Sequence, residues 1–251
     1  MRRVWLIVSL LALSAGTTAA AEIKVLTAGA YKQIVLALQP DFEKSTGHKL
    51  IVDNGTVGQL TKRIEDGEAF DVVIASPGAL DGLAKKGKIV PGIRVVLARV
   101  GVGVMVREGA PKPDISTVAA FKTTLLAAKS VAYIDPASGG SSGIYLAGLF
   151  EKLGIADQLK PKAKLIFGGL VAEHVAKGEA EIGIHQMSEI VPVKGVTLVG
   201  ALPAEIQNFT TYAGGLNAAI NVAEPAKALI KRLAGPAAAP VLKSKGMAPA
   251  S

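Results

Sequence analysis

No cysteine occurs anywhere in the 251-residue chain. Disulfide bonds, zinc–thiolate centres, a cysteine nucleophile and a lipidated N-terminal cysteine are therefore excluded. Aromatic residues are 4% of the chain and never interleave with its basic clusters, Lys85-Lys86-Gly87-Lys88 and Lys231-Arg232. That leaves no base-stacking platform, so no nucleic-acid partner is expected. The three histidines, His48, His174 and His185, stand far apart without ligand spacing, and no metal site is expected. There is no P-loop and no G-x-G-x-x-G turn, because Gly101-Val102-Gly103 lies inside an apolar extended run, and no cofactor is expected. Beyond the N-terminus no segment is long and apolar enough to span a bilayer.

What is present begins with an export signal over residues 1–21. Arg2 and Arg3 supply positive charge, Val4 to Leu13 an apolar stretch, and Ala19-Ala20-Ala21 small residues for a peptidase. Ser9, Ser14 and Gly16 interrupt the apolar stretch, which favours cleavage over anchoring and a periplasmic product. The formal charge of +8 falls to +6 once both arginines are removed. An excess of that size, scattered over the surface, attracts small anions at long range.

The 230 remaining residues alternate short apolar runs with helical patterns, the mark of parallel β–α units. Strands are predicted at 23–26, 50–52, 71–75, 131–134, 164–167, 181–184 and 196–199. Helices are predicted at 31–45, 58–66, 79–86, 115–128, 142–153, 170–177, 224–233 and 237–245. In the first helix Ile34, Leu38 and Phe42 form one stripe. The valine-rich run 94–106 suits a long strand crossing between two lobes, and 212–220 a return crossing. Two sets of units result: 22–98 with 213–251, and 99–212.

In such sheets ligands sit beyond the carboxyl ends of strands, near helix N-termini. Four turns qualify. Thr27-Ala28-Gly29-Ala30 leaves the amides that open the first helix uncovered, which suits an anion. In Asp53-Asn54-Gly55-Thr56, Thr56 is placed either to donate to a ligand or to cap the next helix. The stretch 135–143 contains Ser138, Ser141 and Ser142 among three glycines, a donor-rich loop. His185 and Gln186 follow the strand at 181–184, where alternation places them on opposite sides while the chain stays extended. Gly139 to Gly143 also fits G-x-S-x-G, which raises an exported serine hydrolase using Ser141. However, Pro136 and further residues separate that serine from its strand, unlike a nucleophile elbow.

Taken in order, these residues resemble the periplasmic molybdate-binding proteins, among the extracellular solute-binding proteins of ABC transporters. The likeness is carried by Ile23 to Ala30, Gly58 to Gly67, Phe70 to Ser76, Asp135-Pro136 with Gly143-Ile144-Tyr145, Val175 to Ile184, Leu233 to Pro236, and Lys245-Gly246. The resemblance implies two α/β lobes joined by two crossing strands, a type II-like binding-protein fold with the ligand cleft between lobes. It also implies an oxyanion held by neutral donors. On that pattern Ala30 stands where a first-turn serine is usual and Thr56 at the second-turn hydroxyl. Ser142 and Gly168 or Gly169 stand at amide positions, and Gln186 where a tyrosine is usual. The ligand-binding set is then Thr27, Ala28, Gly29, Ala30, Thr56, Ser138, Ser141, Ser142, Gly168 and Gln186. The expected molecule is a monomer with no catalytic residue and no enzymatic activity. It delivers a molybdate-like oxyanion, or alternatively a small organic acid anion, to a membrane ABC permease.

Overall fold

In the computed structural model residues 20–249 are described. The expected signal segment lies outside them except for Ala20 and Ala21. Among the described residues no helix is long and apolar enough to cross a membrane.

The chain opens with β1 (Glu22–Ala28), α1 (Gly29–Thr46), β2 (Lys49–Gly55), α2 (Val57–Glu65), β3 (Val72–Ala75) and α3 (Pro77–Lys85). A long strand, β4 (Val95–Arg107), leads to α4 (Val118–Ala127), β5 (Val131–Ile134), α5 (Ser141–Lys152) and α6 (Ala156–Leu159). Then come β6 (Ala163–Ile166), α7 (Val171–Ala176), β7 (Ile182–Gln186), α8 (Met187–Ile190) and β8 (Val196–Ala201). The chain finishes with β9 (Phe209–Leu216), α9 (Ala223–Ala234), α10 (Ala238–Ser244) and β10 (Met247–Pro249). The strands follow the order β2-β1-β3-β9-β4-β7-β5-β6, with β8 and β10 also paired to β4.

β4 is the crossing strand. Its first half, Val95 to Gly101, runs antiparallel to β9, and its second half, Val102 to Arg107, to β7 and β8. The partner change falls after Gly101, not at residue 98. The chain returns through 202–208, before β9, rather than within 212–220; Tyr212 is already inside β9. Each set of parallel strands is centred on one strand, β1 between β2 and β3, and β5 between β6 and β7.

Each set buries its own core. Tyr31, Ile34, Leu38 and Phe42, the stripe on α1, pack with Val25, Val72, Val100 and Leu229. Phe121, Leu125, Phe150 and Leu159 pack with Val104, Val131 and Ile184 on the other side. A buried side chain of this size contributes roughly 1.5–3 kcal/mol, so α1 is fixed by its stripe despite Pro40 within it. Pro40 is tolerated because it lies on the exposed face, where water can reach the carbonyl left without a donor. The amide that opens α1 is thereby set immediately beyond the end of β1.

Candidate functional site

The carboxyl ends of β1, β2, β5 and β7 converge on one cavity of about 110 Å³. The first set of strands contributes Ala28, Gly29 and Ala30 at the start of α1, and Asn54, Gly55, Thr56, Val57 and Gln59 at the start of α2. The second contributes Ile134, Gly140, Ser141 and Ser142 at the start of α5, Gly169 before α7, and His185, Gln186 and Glu189 across β7 and α8. Tyr212 reaches in from β9. The starts of α1 and α5 both open on this space, and neither has a side-chain cap. Their first amides are donors without a side-chain acceptor, at the positive ends of the helices, an environment that favours an anion.

Of the ten residues expected at the ligand, Ala28, Gly29, Ala30, Thr56, Ser141, Ser142 and Gln186 line the cavity. Thr27, Ser138 and Gly168 are not among its lining residues. Thr27 is fully buried and its hydroxyl donates to the Ala28 carbonyl at 3.1 Å. The Ser138 hydroxyl donates to Asp135 O at 2.8 Å, closing the short turn after β5. Gly168 faces the Gln59 side chain. Thr56 has a double role. Its oxygen accepts the Gln59 amide proton at 3.1 Å, half of a capping box on α2, and its hydroxyl donates to Ser138 O across the cleft.

Two further contacts join the same faces. The Gly58 amide donates to Gly139 O at 3.1 Å, and Gln59 Nε2 donates to Phe167 O at 3.1 Å. Gly58 and Gly139 touch backbone to backbone: a Cβ on Gly58 would lie 2.7 Å from Gly139 Cα. The two halves of the cleft are closed on one another here.

The inner wall is a cluster of polar groups. Gln186 donates to Thr210 Oγ1 and accepts from the Tyr212 hydroxyl, both at 3.1 Å. A tyrosine hydroxyl therefore reaches the cluster from β9 although Gln186 occupies the position where the resemblance implies a tyrosine. Ser141 stands beside the Tyr212 hydroxyl, and among the described residues it hydrogen-bonds to no histidine, so no Ser–His dyad forms.

Glu189 was not an expected site residue, and His185 belonged to the fourth candidate turn but not to the expected ligand-binding set. They are four apart, with His185 Nε2 and Glu189 Oε2 3.3 Å from each other and both side chains buried. β7 ends at Gln186 and α8 starts at once, so strand alternation lapses and His185 and Gln186 both face the cavity. Glu189 reaches across to α1: a Cβ on Gly29 would sit 2.6 Å from Glu189 Oε1. His185 Nδ1 is buried with no hydrogen-bond partner among the described residues. Burial pushes the Glu189 carboxyl up to about 8 and the His185 imidazolium down to about 3. Near neutrality the pair is therefore an acid and a neutral imidazole in contact, not an ion pair. The N-terminus of α1 acts on Glu189 in the opposite sense, favouring the carboxylate.

A stability profile follows from these shifts. Glu189, raised above its unfolded value of 4.5, stabilises fully below that value, and the contribution is lost as pH rises to about 8. His185, lowered below 6.5, stabilises fully above that value, and the contribution is lost as pH falls to about 3. Between about pH 4.5 and 6.5 the two slopes oppose. Thermal melts should therefore show a plateau there, with Tm falling on both sides. A Tm that keeps rising from pH 6.5 to 8 would contradict burial of a neutral Glu189.

Residues 23–248 match the family model described as bacterial extracellular solute-binding protein. An aconitate isomerase from a Pseudomonas species is 36% identical over 231 residues, covering 90% of this chain and 87% of the relative. A molybdate-binding protein, ModA of Azotobacter vinelandii, is 29% identical over 248 residues, covering 94% of each. The solved periplasmic molybdate-binding protein of Azotobacter vinelandii superposes with a TM-score of 0.77 at 19% identity, over 91% of this chain and 100% of that one. These findings support the resemblance and the two-lobed binding-protein fold. They also correct one expectation. The lack of a familiar catalytic pairing led to the reading that the chain is not an enzyme, and a relative this similar over nine-tenths of the chain carries an enzyme's name.

Proposed function

The chain belongs to the bacterial extracellular solute-binding proteins, and from that premise we propose that it closes on a small polycarboxylate and isomerises an unsaturated one of the aconitate class. The observation that carries this reading is the buried carboxyl of Glu189, facing the cavity against His185 and the start of α1. A protein that only carries an oxyanion needs neutral donors. A proton-transferring group held near its working pH serves catalysis.

The chemistry is a proton shift along three carbons. Aconitate carries a carboxylate on each carbon of a propene chain. In its ionised form Glu189 takes a proton from the methylene carbon, and the C–H electron pair becomes the new double bond. The old double-bond pair takes the proton back at the other end carbon. The composition is unchanged and no oxidant or reductant is involved. Because the skeleton is the same read from either end, the product is aconitate with the opposite double-bond geometry. Charge spreads onto the carboxylates during the step. The first amides of α1 and α5 are placed to stabilise that charge without reorganising. Neutral His185 can accept a hydrogen bond from protonated Glu189 or donate one to its carboxylate, so it fits both stages.

Thr56, Ser141, Ser142 and Gln186 then act as neutral donors and orienting groups around the carboxylates. Thr27, Ser138 and Gly168 support those turns. In this reading the lobes are 22–101 with 209–251, and 102–208, divided where β4 and the returning chain change sides. The protein works as an exported monomer in the periplasm. The same closed form would suit delivery of the bound anion to an ABC permease.

Proton NMR of the purified protein with cis- or trans-aconitate tests the proposal. Both starting compounds should converge on one ratio. A tricarboxylate at 100 times its Kd should also stabilise the fold by about 2.7 kcal/mol. A thermal shift with molybdate and tungstate alone, with no interconversion, would overturn it in favour of an oxyanion carrier.

A further inference from the structure

A second cavity of about 250 Å³ adjoins the first and shares Gly29, Asn54, Gly169 and Glu189 with it. Its own lining comes from Lys32 and Gln33 on α1, Leu170 and Glu173 at α7, and Pro192 after α8. The carboxyl of Glu189, lying over Gly29, therefore stands at the partition between the two spaces. Lys32 is one turn beyond Gly29, on the same face of the helix. It is the one Lys or Arg among the residues that line either cavity. The Asp53 carboxyl is held low chiefly by its hydrogen bond to Arg63 and in smaller part by the charge of Lys32. Among the described residues, neither Asp53 nor Glu173 forms an ion pair with Lys32.

The inner cavity is built of neutral donors and two helix starts, which suit one or two carboxylates. A third carboxylate on a three-carbon chain would have to project past the Glu189 partition. We propose that the outer cavity is a subsite for a distal carboxylate, with Lys32 as the residue that selects tricarboxylates over dicarboxylates. The assignment rests on the polycarboxylate reading above and adds the ligand's charge count to it. A cation so placed attracts the remote charge while leaving the reacting carbons beside Glu189. Glu173 works against it from the opposite wall.

Calorimetric titration of the wild type, Lys32→Met, Lys32→Arg and Glu173→Gln with trans-aconitate and with the dicarboxylate mesaconate tests this. Lys32→Met should weaken the tricarboxylate by about 10–30-fold and the dicarboxylate by less than about threefold, with most of the loss restored by Lys32→Arg. Glu173→Gln should tighten the tricarboxylate selectively. Equal losses for both ligands in Lys32→Met, or none for either, would overturn the subsite. Failure of the wild type to bind either carboxylate would instead overturn the function proposed above, so the two outcomes are separable.

Discussion

Replacing Glu189 with Gln should reduce aconitate isomerisation by about a thousandfold or more while leaving ligand binding within a few-fold of wild type. Positioned acid–base groups contribute on the order of 10²–10⁴ in rate, and Glu189 is the carboxyl buried at the cavity wall among the described residues. The amide keeps the shape and the hydrogen-bonding reach of the acid but cannot carry the proton. Binding is spared because near neutral pH the native group is largely protonated, raised by burial to about 8. The same variant removes the cost of ionising a buried acid. Its melting temperature should therefore lose the decline expected between pH 6.5 and 8, and above pH 8 it should equal or exceed wild type. Steady-state rates, calorimetric Kd values and melts at pH 6 and pH 8.5 together check the expectation. Retained turnover with lost binding would move Glu189 from proton transfer to ligand anchoring.

A second large effect is expected from Gly58→Ala, far less drastic in composition. Its new methyl would lie 2.7 Å from Gly139 Cα and 3.0 Å from Ser138 O. Both are backbone atoms, and Gly139 has a φ of 72°, a left-handed conformation that resists rearrangement with any side chain added there. The clash falls at the contact between the two halves of the cleft. At about 3 kcal/mol for overpacking of this kind, the closed form becomes about a hundredfold harder to reach, and apparent affinity falls in proportion. Gly58 is the second residue of α2, where alanine is a better helix former than glycine. That gain, about 1 kcal/mol at most, is smaller than the clash, so the variant should melt below wild type. A calorimetric Kd within about threefold of wild type would show that closure does not depend on this backbone contact.

The β–α repeat was legible because each unit advertises itself locally. Asp71 to Ala75 reads as a buried strand, and Ile34, Leu38 and Phe42 as one stripe, and both occur as read to within a few residues. The starts of α1 and α5 were legible for the same reason, since small and hydroxyl residues stand between a strand and a helix. The inner wall was not. Glu189 lies in the four-residue α8, too short to show a helical period, and its burial depends on contact with α1 far away in sequence. Tyr212 read as part of a crossing segment, and only the pairing of β9 with β3 and β4 brings its hydroxyl to Gln186. One local signal was available: an apolar strand followed by His185 and, four residues on, Glu189, a spacing that becomes a contact if a helical turn begins after the strand. Without the Glu189 partner to His185, the cleft reads as a set of neutral donors, which implies a protein without enzymatic activity.

Proton transfer inside the cleft is tested most directly in D2O. Purified protein is incubated with trans-aconitate, and the vinyl and methylene signals are followed by NMR. The prediction is formation of cis-aconitate, with any solvent deuterium confined to the two end carbons, and loss of both processes in Glu189→Gln. Tight binding of aconitate without isomerisation or deuterium entry would contradict it and leave a carrier of organic anions.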